Sequence, residues 1–182
     1  ISEPLRLLEG RIATFGKGYR DGRGPIIPIG FHLGFFLGWL LHGREPWAKA
    51  VAGWVRGKRY QVWRVFVTLG HYEVWEGHEV GPNDFRNRAG RFVQGQGEDY
   101  WTAVIAMLRI AEEHDAYIDF APGDMQRFGD WAGVAAFLNE LSHRVQASGL
   151  AHRAWNWQIN EPYQNVNDFS PQQAAAALRP GA

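Results

Sequence analysis

The clearest pattern along the chain is a strict alternation at residues 61–69. Trp63, Val65, Val67 and Leu69 fall on one side, and Val62, Arg64, Phe66 and Thr68 on the other. That period predicts a β-strand with one apolar face and one mixed face. Spacings of three and four residues predict helices elsewhere. Pro46 is placed to open one, with Trp47, Val51, Trp54 and Val55 on its apolar face and Lys49, Arg56 and Lys58 on its polar side. A second carries Tyr100, Val104, Leu108 and Ala111 on one stripe, and Glu98 and Asp99 complement its N-terminal dipole. In a third, Trp131, Val134, Leu138, Leu141 and Val145 line up between a capping Asp130 and a terminating Gly149. The run Ser170-Pro171-Gln172-Gln173 reads as the capping box of a fourth, stopped by Pro180 and Gly181.

Further β-prone runs stand at 26–29, 116–120 and 153–160, so strand and helix alternate four times along the chain. Such alternation predicts an α/β fold with parallel strands and right-handed crossovers. A parallel sheet covered on both faces favours near-continuous apolar strands. Here Arg64 and Thr68 share a strand face, Asp119 sits in the next strand, and Asn156, Gln158 and Asn160 share a face of the last. Polar groups on one face suit a barrel interior better. A complete eight-stranded barrel takes about 250 residues. The expectation is therefore a partial TIM (β/α)8 barrel of about four βα units, forming a single domain over residues 1–182. An incomplete barrel exposes two strand edges, and the chain opens on Ile1, so it is expected to be part of a longer polypeptide.

Composition narrows the partners. The 19 basic and 19 acidic side chains cancel, leaving no electrostatic footprint for nucleic acid. No cysteine is present, which excludes disulfides, thiol catalysis and thiolate metal sites. The most apolar stretch, 31–41, holds two glycines and stops at His42; it falls short of the about 20 residues that cross a bilayer, so no membrane span is predicted. Within it, Phe31, Phe35, Phe36 and Trp39 read as core or interface. Nine tryptophans suit either a buried aromatic core or a stacking platform for flat ligands.

The densest candidate chemistry is Trp155-Asn156-Trp157-Gln158-Ile159-Asn160-Glu161-Pro162, at the C-terminal end of the fourth β-run, where β/α barrels build their active sites. With Arg64 on the second strand and Asp21-Gly22-Arg23-Gly24 ahead of Pro28-Ile29-Gly30, this motif resembles the clan A glycoside hydrolases, retaining sugar-cleaving barrels whose fourth strand commonly ends Asn-Glu-Pro. The resemblance implies Glu161 as general acid/base, Asn160 on the 2-hydroxyl of the sugar, and Arg64 as the strand-two arginine. It also implies a nucleophilic glutamate at the end of a seventh strand, outside this chain. His32, Tyr72, Trp75 and Trp157 would line the subsites. Glycosidic cleavage needs a proton for a poor leaving group and a carboxylate facing the oxocarbenium ion, and a tryptophan-rich pocket can keep a glutamate protonated.

The implied function is cleavage or binding of β-linked polysaccharide by a retaining two-carboxylate mechanism, with no cofactor and no metal. His71, Glu76 and His78 do not form a His-Glu-x-x-His signature. The expected partners are a polysaccharide or oligosaccharide and the rest of the same polypeptide. Three alternatives stay open, one of them an open-sheet α/β protein, complete at this length, with no enzymatic role. Arg64 also fits an ion-pair partner for Asp119, and the whole domain also fits a non-catalytic glycan-binding or structural barrel in a larger assembly, such as a phage tail or cell-surface protein. An extracellular or virion-associated setting is favoured.

Overall fold

Short β-prone pieces broken by glycines open the chain, and they fold on themselves. The computed structural model describes residues 12–68, 80–82, 97–122 and 131–157. Strands β1 (Ala13–Phe15), β2 (Gly18–Asp21) and β3 (Gly24–Ile26) form an antiparallel sheet in chain order. Gly16, at φ +59°, makes the first turn possible. The second is tied by the Asp21 carboxylate, which accepts the Arg23 backbone N–H at 2.9 Å.

The main body comes next. Strand β4 (Gly30–His32) leads into α1 (Phe36–Leu41) and α2 (Glu45–Gly57), then β5 (Val62–Thr68), α3 (Glu98–Glu113), β6 (Tyr117–Pro122), α4 (Trp131–Ala147), a 3-10 turn (Ala151–Arg153) and β7 (Ala154–Trp157). Strands β4 to β7 form one sheet whose spatial order is the chain order, every neighbouring pair parallel. The fold is α/β, as the alternation predicts.

One face of this sheet carries the core. Trp63, Val65 and Val67 from β5 join Ile118 and Phe120 from β6, packed with Phe36 and Leu37 of α1, Val104, Met107 and Leu108 of α3, and Phe137 and Leu141 of α4. The predicted stripe of α3 is buried in Tyr100, Val104, Leu108 and Ala111, as are Val134, Leu138, Leu141 and Val145 of the α4 stripe, whose Trp131 side chain lies outside the described residues. The buried Tyr100 hydroxyl donates to the Val67 carbonyl at 2.8 Å, fastening α3 to β5. Between α3 and α4, Trp101 stacks on Phe137 and Arg144 donates to Glu98 at 3.0 Å, while within α4 the same guanidinium donates to Glu140 at 2.8 Å.

Two expectations are corrected. The first parallel strand is Gly30–His32, not 26–29; Gly24–Ile26 belongs to the antiparallel sheet, and Ile27 is 84% exposed. In α2 the buried face is Ala48, Ala52 and Val55, whereas Trp47 and Trp54 are 58% and 54% exposed. Small side chains on the inner face let α2 lie close to α1 and α3, leaving no room there for an indole. The expected fourth helix, the Asp130 cap and the end of the last β-run lie outside the described residues.

Candidate functional site

The register of the parallel sheet aligns one polar residue from each strand. His32 of β4 pairs with Arg64 of β5, Arg64 with Asp119 of β6, and Asp119 with Asn156 of β7. Side chains alternate along a strand, so residues in register share a face. This row lies opposite the Trp63, Val65, Ile118 and Phe120 side that packs on the helices. With strands about 4.8 Å apart, four of them carry the row across about 14 Å.

The N-terminal end of the same face is apolar. Val62 and Tyr117 cluster with Ile12, and Ile26 and Trp155 pack against them. A register slip between Ile118 and Asp119, opposite β7, accommodates Trp155 in that cluster and returns Asn156 to the polar row. Tyr19 of β2 meets Trp155 edge-on at 5.3 Å, and the Arg153 guanidinium covers Tyr117 at 5.4 Å. The antiparallel sheet thus closes one end of the face in hydrocarbon, and the polar row begins immediately beyond it.

Within the row, Nη1 of Arg64 stands 3.4 Å from Nδ1 of His32. Phe66, two residues on along β5, touches both: its ring lies 5.2 Å under the Arg64 guanidinium and 5.1 Å from the His32 imidazole at 83°. Asp119 is buried, Arg64 half-buried, and His32 and Asn156 exposed. Thr68, at the end of β5, is fully buried, and its hydroxyl makes no hydrogen bond among the described residues. Gly34 continues the ladder past β4, its carbonyl accepting the Phe66 N–H at 3.2 Å. A Cβ at Gly34 would stand 2.8 Å from the Phe66 ring and 2.9 Å from His32 Nε2.

An imidazole, a guanidinium, a carboxylate and a primary amide in one line offer donors and acceptors with little net charge. That set suits a neutral ligand rich in hydroxyl groups. Among the described residues no group of three or more His, Asp or Glu side chains is placed to hold a metal ion.

Of the residues expected in the site, His32 and Arg64 come together. Trp157 ends β7, its backbone paired with Phe120. Glu161, Asn160, Tyr72 and Trp75 lie outside the described residues, as does the Trp157 side chain. Phe66 and Gly34 were not expected. Phe66 was legible only as an alternation partner of Arg64, and nothing local to Gly34 marks it. No helix among the described residues is long and apolar enough to cross a membrane. In comparisons with known proteins, no family model and no curated protein matches the chain.

Proposed function

We propose that the chain forms the first four βα units of a TIM-type (β/α)8 barrel, and that the polar face of its sheet is the floor of a glycan cleft worked by clan A glycoside hydrolase chemistry. The observation that carries this reading is the row His32, Arg64, Asp119 and Asn156, crossing four parallel strands in chain order beyond an apolar plug. Chain order supports it, because a doubly wound sheet reverses its order at a switch point and covers both faces with helices. A second support is the β4 edge. Among the described residues it has no further strand partner, and Ile27, Ile29, Phe35 and Trp54 beside it are exposed, as befits a surface that another strand and helix would cover.

In this reading Glu161, four residues beyond the end of β7, delivers the proton to the glycosidic oxygen, and Asn160 binds the 2-hydroxyl. The nucleophilic carboxylate comes from a later strand, about 5–5.5 Å from the first as retention requires. Arg64 and His32 hold the sugar or the nucleophile from the opposite side of the cleft. Glu161→Gln in the natural polypeptide should lower turnover of unactivated β-linked polysaccharide by about 10²–10⁴-fold. Unchanged turnover would remove Glu161 from the mechanism. The alternative, a barrel that binds glycan without cleaving it, is favoured by the described part of the row, where Asp119 is the one carboxylate. Saturable oligosaccharide binding with no hydrolysis, before and after substitution of Glu161, would decide for it.

A further inference from the structure

Helix α2 has one flank turned to α3 and another left open among the described residues. On the α3 side Arg56 reaches Asp115 at 3.8 Å, and a Cβ on Gly53 would stand 3.8 Å from His114. Ala48, Ala52 and Val55 are buried. On the remaining side run Arg44, Trp47, Val51, Trp54 and Lys58, at alternating spacings of three and four residues. With that spacing one helix seats another along its length. Trp47 and Trp54 are each more than half exposed. Neither indole is loose. Trp47 stands edge-on to Trp39 at 6.3 Å, and Trp54 edge-on to Phe31 at 5.9 Å. Held this way, they offer a shaped apolar surface at small cost in side-chain entropy.

Both ends of this flank are cationic. Arg44 precedes the first turn of α2, and Lys58 follows the last with its Nζ 5.9 Å over the Trp54 ring. The ion pairs of α2 among the described residues, Lys49 with Glu45 and Arg56 with Asp115, belong to the other side of the helix. A second copy of the chain is therefore the wrong occupant. Packed antiparallel about Val51, it would set Arg44 against Lys58; packed parallel, it would set each cation against itself.

We propose that this flank seats an amphipathic helix from a later part of the same polypeptide. That helix lays apolar side chains over Trp47, Val51 and Trp54, and sets one carboxylate opposite Arg44 and another opposite Lys58. The two cations lie about 21 Å apart along the axis, so the occupant spans about four turns. Its origin in the same polypeptide rests on the barrel reading; its amphipathic and acidic character rests on the flank alone.

Two synthetic amphipathic helical peptides of about five turns test the flank, both free of tryptophan and sharing one apolar stripe. One carries glutamate at both ends of the stripe and the other lysine. Followed by tryptophan emission at low salt, the glutamate peptide should bind the chain saturably, at least about tenfold tighter than the lysine peptide. Trp54→Gln should weaken it by about tenfold or more. Arg44→Glu combined with Lys58→Glu should reverse the preference, and cooperative thermal unfolding checks that each variant folds. In the natural polypeptide labelled with 5-fluorotryptophan, the ¹⁹F solvent isotope shifts of Trp47 and Trp54 should be lost relative to the chain alone. Equal affinity for the two peptides, no binding of either at millimolar concentration, or binding untouched by Trp54→Gln overturns the proposal. So does a dimer of the chain, or binding of an acidic oligosaccharide in place of the peptide, that Trp54→Gln abolishes. Peptide discrimination with the shifts retained in the natural polypeptide overturns the origin and the barrel reading together. Shifts lost without discrimination overturn the proposal and leave the barrel reading standing.

Discussion

Tyr100 ties helix to sheet through one buried polar atom, and the same burial makes stability depend on pH. Its hydroxyl sits in the core with the Val67 carbonyl as partner, and burial pushes the phenol pKa well above its ordinary value of 10.0. The folded state therefore keeps a proton that the unfolded chain releases above about pH 10, so the unfolded state binds fewer protons and stability falls as pH rises through that range. Tyr100→Phe leaves the Val67 carbonyl without this donor, at a cost of about 1–3 kcal/mol near neutral pH. Urea midpoints measured from pH 8 to 11 should fall more steeply for the parent than for the phenylalanine variant. Parallel lines would show that Tyr100 does not supply the slope. Gly97 makes a second residue-scale prediction. It precedes α3 at φ +77°, and a Cβ there would strike the Pro82 backbone. Gly97→Ala should cost more than the about 1–2 kcal/mol of a left-handed alanine, read as a lowered denaturant midpoint with unchanged slope.

Element by element, legibility followed the length of the pattern. Strand β5 showed itself because seven residues alternate without interruption, and α3 and α4 because their apolar stripes run three turns or more. Strand β4 stayed hidden. It has three residues, begins with glycine, and comes after Ile26, Ile27 and Ile29, which look more β-prone but end in the antiparallel sheet or in its exposed connection. Helix α1 was masked by Gly34 and Gly38 in a run that is apolar on every side, so no period emerged. The face of α2 was misjudged because hydrophobicity favours Trp47 and Trp54, whereas packing against α1 and α3 selects the small Ala48 and Ala52. Hence Ala52→Leu, which overfills that contact, should destabilise by about 1–3 kcal/mol. Trp47→Gln, on the exposed face, should stay within about 1 kcal/mol, the loss being its edge contact with Trp39. Thermal unfolding of the two variants side by side checks the ranking, and a larger loss at Trp47 would contradict it.

At the scale of the molecule, the two sides of the sheet have different jobs. The helix side is a continuous apolar core; the other side is plugged with hydrocarbon at its N-terminal end and polar beyond. Alternation alone placed Arg64 on the mixed face, its candidate role coming from the resemblance, whereas His32, Asp119 and Asn156 are brought into line with it by register, which depends on pairings between distant segments. The bulge that seats Trp155 in the plug left no local mark, since its cause lies in the packing of β7 against β6 and the antiparallel sheet. On the proposed reading, this polar row receives a β-linked glycan. Its most direct test is amide and side-chain chemical-shift mapping of the protein titrated with β-linked oligosaccharides. Saturable shifts centred on His32, Arg64, Asp119 and Asn156 are expected, and Arg64→Met should abolish them. Shifts confined to the helix side, or none up to millimolar sugar, would contradict it.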